Sequence, residues 1–200
     1  MEKCESILLR DPSAYKGRWR DAFPGFSELH IELGCGKGRF TVETAQSKPK
    51  TLFVAVERAP EAMITAMERA IASGLENVRF IDMDAAKLRD VFGDGEADLI
   101  YINFCDPWPP KKQAKRRLTA PGFLALYKAV LKSRGEIHFK TDNYPLFCYS
   151  LQSFYENGFD IYDATHDLHG TGGGGIMTDY EVKFHAQGVP INRCVAKKRD

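Results

Sequence analysis

The sequence predicts an α/β chain built on a doubly wound parallel sheet, and three observations carry that expectation. Short apolar runs of strand length alternate with amphipathic helical segments along most of the 200 residues. The first such run, Leu29 to Leu33, opens into Gly34-Cys35-Gly36-Lys37-Gly38 and then a helix, the order with which nucleotide-binding sheets begin. Carboxylates recur at or just past the strand ends, at Glu32, Glu57, Asp84 and Asp106. This length suits one domain whose core needs no staples. Residues 29–200 are expected to form it, after a basic and aromatic extension over residues 1–28.

The extension comes first. Residues 10–26 mix Arg10, Lys16, Arg18 and Arg20 with Tyr15, Trp19 and Phe23, and hold too much Pro and Gly for a regular element. They either wrap the sheet with their rings inward or offer RNA a second surface of cations and rings. After the glycine turn, Phe40, Val42 and Ala45 mark a helix ending before Pro49, and Thr51 to Val56 is a second strand. Met63, Ala66, Met67 and Ala70 fall at helical spacing, so these methionines are core filling, and Gly74 stops that helix. Asn77 to Met83 is the third strand, a short helix reaches Phe92, and Ala97 to Phe104 is the fourth strand. Thr119 to Arg134 reads as an amphipathic helix closed by Gly135, followed by a fifth strand from Glu136 to Lys140. A helix from Tyr144 to Asn157 and a strand from Phe159 to Asp163 continue the alternation. The run GTGGGG makes residues 166–175 a loose loop, either an excursion or a lid over substrate. Thr178-Asp179-Tyr180-Glu181 is a T-x-x-E capping box for a helix that stops at Gly188, and Asn192 to Ala196 supplies a last strand. Capping alone explains Thr178 and Glu181.

The formal net charge is +1, yet Lys111, Lys112, Lys115, Arg116 and Arg117 carry five positive charges, which leaves the remainder at minus four. A basic strip on a mildly acidic body fits a nucleic-acid binder. Five scattered cysteines, with no C-x-x-C pair, argue against a disulfide framework or a zinc site and for a reducing cytoplasm. No apolar run approaches a membrane span, and the start MEKCESILLR lacks the core of a signal peptide.

The chemistry concentrates in Tyr101 to Leu118, YINFCDPWPPKKQAKRRL. An apolar strand reaches Asp106, stiffens through Pro107, Pro109 and Pro110 around Trp108, and then releases the five cations. Three prolines in four residues exclude sheet and helix alike, so the segment is a rigid loop. Ligands of such sheets bind at the carboxyl ends of strands, so an acid and a basic aromatic loop there favour a polyanionic substrate at an acidic centre. Glu32, just before the glycine turn, would repel a pyrophosphate. It would accept the ammonium and sulfonium of S-adenosylmethionine, and the G-x-G-x-G spacing also disfavours a nicotinamide oxidoreductase. Glu57, about twenty residues on, is placed for ribose hydroxyls. Asp84 beside Ala85 suits the adenine amine, or caps the helix that follows.

Taken together, ELGCGKG, AVER, DPWPPKKQAKRRL, TDN and TDYEVKF resemble, in this order, the bacterial tRNA (guanine-N7)-methyltransferases. That resemblance implies a Rossmann-like class I methyltransferase sheet, mostly parallel with a final antiparallel strand. It also implies transfer of a methyl group from S-adenosylmethionine to N7 of a guanine in the tRNA variable loop, position 46 in tRNA numbering, leaving S-adenosylhomocysteine. Carried over, Gly34, Gly36, Gly38, Glu32, Glu57, Asp84 and Asp106 are cofactor contacts, with Asp106 also the catalytic position. Lys111, Asp142, Thr178, Asp179, Tyr180 and Glu181 are substrate contacts. The segment Lys112, Gln113, Ala114, Lys115, Arg116 and Arg117 is the RNA-binding loop. Pro110 stands where the family pattern has a lysine, so that contact passes to Lys111 or is lost, and the tetraglycine is unusual. No metal, no membrane and no obligatory protein partner are expected, with a cytoplasmic monomer or homodimer acting on tRNA. The competing readings are an adenine or cytosine amino-methyltransferase, for which DPWPP is a scrambled motif, and an RNA-binding module of the same fold without activity.

Overall fold

Seven strands form one sheet in the order β3-β2-β1-β4-β5-β7-β6 in the computed structural model, which describes residues 6–170 and 172–200. Cys4 and Thr171 of the glycine run lie outside the described residues. The strands are β1 (Glu28–Leu33), β2 (Thr51–Glu57), β3 (Val78–Asp82), β4 (Ala97–Asn103), β5 (Leu131–Thr141), β6 (Phe159–Thr165) and β7 (Asn192–Lys198). β3, β2, β1, β4 and β5 run parallel, and β7 is antiparallel to both β5 and β6. The connecting helices are α1 (Trp19–Ala22), α2 (Arg39–Ser47), α3 (Pro60–Ala72), α4 (Leu88–Val91), α5 (Pro121–Val130), α6 (Tyr144–Glu156) and α7 (Asp179–Ala186).

Central strands of a parallel sheet are covered on both faces and so read as continuous apolar runs. β2, TLFVAVE, shows the consequence. Leu52, Val54 and Val56 enter a core with Leu29, Ile31 and Ile100, whereas Phe53 and Ala55 enter a second core with Met63, Met67 and Phe80 on the opposite face. The methionines of α3 are thus packing residues.

The extension joins both cores, Trp19 the first and Ile7 the second. Phe80 exchanges backbone hydrogen bonds with Ile7 and Leu9 at 2.8 and 2.9 Å, which covers the outer edge of β3. Trp19 is fully buried, stacks on Phe92 with ring centres 5.1 Å apart, and donates its indole N–H to the Val91 carbonyl. Tyr15 and Phe23 pack on Trp19 in turn. The inward wrap is therefore the arrangement found. Trp19 is thereby used in packing, while Tyr15 and Phe23 stay half-buried. The segment is also more regular than its Pro and Gly content predicts, with a 3-10 turn over Pro12–Tyr15 before α1.

One boundary is corrected. The helix expected to reach Arg134 ends at Val130, and β5 begins at Leu131. Leu131 is fully buried opposite Ala97, and Arg134 takes a left-handed φ of 58°, which a helix does not accept. Gly135 does not cap a helix but lies within β5. A Cβ there would stand 3.1 Å from the Lys132 carbonyl and 3.2 Å from that of Asp98. Among the described residues no helix is long and apolar enough to cross a membrane.

Candidate active site

The carboxyl ends of the five parallel strands present acids along one edge of the sheet. In spatial order they are Asp84 past β3, Glu57 ending β2, Glu32 near the end of β1, Asp106 past β4 and Asp142 past β5. Neighbouring strands lie about 4.8 Å apart, so the row spans roughly 19 Å. Its middle member, Glu32 on β1, borders the gap between β1 and β4, where the direction of winding reverses and ligands of open α/β sheets bind.

The glycine turn sits over that gap. Gly34, Gly36 and Gly38 all adopt left-handed φ values, 77°, 56° and 78°, which other residues avoid. Gly38 also lets α2 approach α3, since a Cβ there would lie 2.5 Å from that of Ala66. Beneath the turn Glu32 is only 2 % exposed. It accepts a short hydrogen bond from the Thr41 hydroxyl and one of 3.4 Å from the Asn103 amide on β4. Burial pushes its carboxyl up to about 7 against this partial satisfaction. A buried carboxylate with so little compensation is a place for a cation. Glu57 accepts the Gly36 N–H at 2.9 Å and the Arg58 and Ala59 N–H groups at 2.7 and 2.9 Å, so it fixes the turn from the tip of β2. Asp84 caps the 3-10 turn Ala85–Lys87 with one oxygen and meets Arg58 at 2.7 Å with the other. That pair is exposed, weak and easily exchanged for a ligand.

Past β4 the chain turns sharply at Phe104 and again at Trp108, both with left-handed φ (53° and 42°). Asp106 between them is exposed and makes no side-chain hydrogen bond among the described residues. Lys111–Arg116, expected as part of a rigid loop without regular structure, coil into 3-10 turns. Lys111, Lys112 and Lys115 are exposed, and the Arg116 guanidinium lies 3.5 Å from the centre of the Trp108 ring. Gln113 and Ala114 are half-buried within the turns. Arg117 points back toward the protein, donating to the Pro107 and Trp108 carbonyls at 2.9 and 3.1 Å.

The third part of the site is the start of α7. Both halves of the predicted capping box are present: the Thr178 hydroxyl accepts from the Glu181 N–H, and the Glu181 carboxylate from the Thr178 N–H. Glu181 is fully buried and also meets Lys140 of β5 and His169 of the glycine-rich loop, each at 3.0 Å. Lys140 further donates to the Ile176 carbonyl, so β5 holds the chain on both sides of the Thr178 cap. Burial lowers the Lys140 pKa, with Glu181 opposing. Asp179 pairs with Arg69 of α3 at 2.7 Å, and Tyr180, 64 % exposed, lies near Phe104 with ring centres 6.5 Å apart. Asp142 stays half-buried, without a side-chain hydrogen bond among the described residues.

Comparison with known proteins bears on what such a site does. A family model described as "Putative methyltransferase" matches residues 27–194. The tRNA (guanine-N(7)-)-methyltransferase of Halalkalibacterium halodurans is 44 % identical over 96 % of this chain and 88 % of its own length. The enzyme of that name from Bacillus velezensis is 44 % identical over 96 % and 89 %. The chain belongs to the tRNA (guanine-N(7)-)-methyltransferase family. Solved structures agree on the fold. The 16S rRNA methyltransferase KamB superposes with a TM-score of 0.69 at 14 % identity, over 91 % of this chain and 93 % of that one. A 16S rRNA (adenine(1408)-N(1))-methyltransferase from Catenulisporales acidiphilia, crystallised with its cosubstrate SAM, gives 0.66 at 16 %, over 96 % and 93 %. The sheet is that of the Rossmann-like class I methyltransferases, as expected.

Within this family member, several residues that sequence reasoning passed over hold the site in place. Asn103 could have been noticed, because it is an amide ending an otherwise apolar strand. Thr41, Lys140 and His169 carried no such sign. Their partners lie 9, 41 and 12 residues away in the chain.

Proposed function

We propose that the chain binds S-adenosylmethionine over β1 and β4 and methylates N7 of a tRNA guanine, at position 46 of the variable loop. The observation that carries this reading is Glu32, a buried carboxylate short of partners beneath a left-handed glycine turn, in a chain whose relatives bear this activity in their names. When bound, S-adenosylmethionine supplies an electrophilic methyl group. Glu32 is assigned to its ammonium, Glu57 to its ribose hydroxyls and Asp84, once released by Arg58, to its adenine amine.

Guanine N7 has an in-plane lone pair and no proton to lose. A new N–C bond can form as the S–C bond breaks, with the electron pair returning to sulfur, and neither a general base nor a metal is required. Catalysis then consists of alignment and electrostatics. The positive charge leaves sulfur and appears on the guanine imidazole ring, where Asp106 stabilises it. Asp142 accepts from the guanine N1–H and amine. Glu181 holds the segment Thr178 to Tyr180 in place, because its carboxylate is already occupied by Lys140, His169 and the Thr178 N–H. Tyr180 offers an exposed ring to the base, and Lys111 stands nearest the position of the family lysine. Lys112, Lys115 and Arg116 bind phosphates. A tRNA substrate implies work in the cytoplasm.

Incubation of unmodified tRNA with labelled cofactor, followed by nucleoside digestion and mass spectrometry, is expected to yield 7-methylguanosine from the variable loop. A methylated adenine or cytosine amine, or an absence of cofactor binding by calorimetry, would replace this reading. Asp106→Ala is expected to abolish turnover while tRNA affinity stays.

A further inference from the structure

The basic run contains one cation that is directed at the protein. The Arg117 Nε donates to the Pro107 carbonyl at 2.9 Å, another of its guanidinium nitrogens donates to the Trp108 carbonyl at 3.1 Å, and the Tyr149 ring of α6 lies 4.3 Å away. These bonds answer a local problem. Pro107, Pro109 and Pro110 have no N–H, so this loop has few backbone donors with which to fix itself. Trp108 nevertheless holds a left-handed φ of 42°, a conformation that persists only where the surroundings impose it. A planar guanidinium takes two successive carbonyls with two nitrogens in a fixed fork, a geometry that the point charge on a flexible lysine stem does not impose.

We infer that Arg117 is a positioning residue: it clamps the Pro107–Trp108 backbone, thereby holds Asp106 in its reacting orientation, and is not one of the phosphate contacts. This rests on the proposed role of Asp106 and gives two neighbouring arginines different work. Arg116 lies over the Trp108 ring at the outer surface, and Arg117 beneath the loop.

The deciding variant is Arg117→Lys, which keeps the charge and removes the fork. A displacement near 1 Å can lower a rate about 100-fold. Arg117→Lys and Arg117→Ala are therefore both expected to lose about that much in kcat, while tRNA affinity and its salt dependence match wild type. Millimolar guanidinium is expected to restore part of the rate to Arg117→Ala. Arg116→Ala, in contrast, is expected to flatten the salt dependence by about one ion. Wild-type kcat in Arg117→Lys, or a flattened salt dependence in Arg117→Ala, would overturn the inference. Should Arg117→Ala fail to fold, Arg117→Lys decides alone. Full activity in Asp106→Ala would instead reject the underlying reading, whatever Arg117 does.

Discussion

Replacing Glu32 with glutamine is expected to make the ligand-free protein more stable and less able to bind its methyl donor. Moving a carboxyl from 4.5 in the unfolded chain to about 7 in the folded one corresponds to about 3 kcal/mol, at 1.36 kcal/mol per pH unit. The sign follows from the proton count. Between these two values the folded state binds more protons than the unfolded one, so stability falls as pH rises through the window and is lowest above about 7. Glutamine carries no charge at any pH. One of its positions becomes a donor facing either Thr41 or Asn103, a loss of about 1 kcal/mol that a turned hydroxyl can reduce. The net gain at pH 8 is about 2 kcal/mol, or roughly 4 to 8 °C in Tm for a domain of this size.

Two assays read this out. Melting in the absence of cofactor is expected to show Glu32→Gln above wild type at pH 8, with the advantage gone by pH 5, where Glu32 is protonated anyway. Calorimetry is expected to show S-adenosylmethionine binding weakened about 10- to 100-fold, the worth of a charge-assisted hydrogen bond. In wild type the affinity should weaken as pH falls below 7, because the proton must leave before the ammonium is received. A glutamine variant no more stable at pH 8, or one that binds the donor as wild type does, would refute the reasoning.

Three further outcomes follow from contacts elsewhere. Gly38→Ala combines a left-handed φ with a Cβ 2.5 Å from that of Ala66, and should lower stability in urea by about 2 to 5 kcal/mol. Glu96 accepts the backbone N–H groups of Gly17, Trp19 and Gly93, at 3.0, 2.8 and 2.7 Å. Glu96→Ala leaves these donors without an acceptor and should cost on the order of 3 kcal/mol, read by urea denaturation and by proteolysis near Trp19. Glu181→Gln leaves Lys140 buried without its counter-charge, and is expected to destabilise by about 3 to 5 kcal/mol and to speed hydrogen exchange before α7.

Where pattern and position are local, the sequence was sufficient. Leu29 to Gly38 declared strand, turn and helix because strand burial and left-handed glycines are written within ten residues. The capping box at Thr178 was equally legible. The boundary at Leu131 was not, because a leucine at helical spacing and one facing Ala97 across a sheet look the same in one dimension. Glu181 could be read as a cap but not as a buried ion, since Lys140 reaches it from another element. Arg117 stood in a row of similar cations, and only the folded loop sets it apart from Arg116.

The reaction moves one positive charge from sulfur to the guanine ring without changing the total. An acidic site that stabilised positive charge uniformly would hold donor and methylated product alike and gain nothing in rate, because only interactions stronger in the transition state accelerate the step. The gain must therefore come from where the carboxylate stands along the path of the charge. On the role proposed for Asp106, that requirement accounts for its place on a proline-bounded turn with two left-handed residues near it, where Arg117 holds the Pro107 and Trp108 carbonyls, while Lys111, Lys112 and Lys115 beyond it are left exposed. Phosphate contacts tolerate motion, because a point charge is effective over several ångströms of placement. A carboxylate set beside a transferring methyl group, as proposed for Asp106, does not, and within a few residues the chain passes from a clamped turn to exposed cationic side chains.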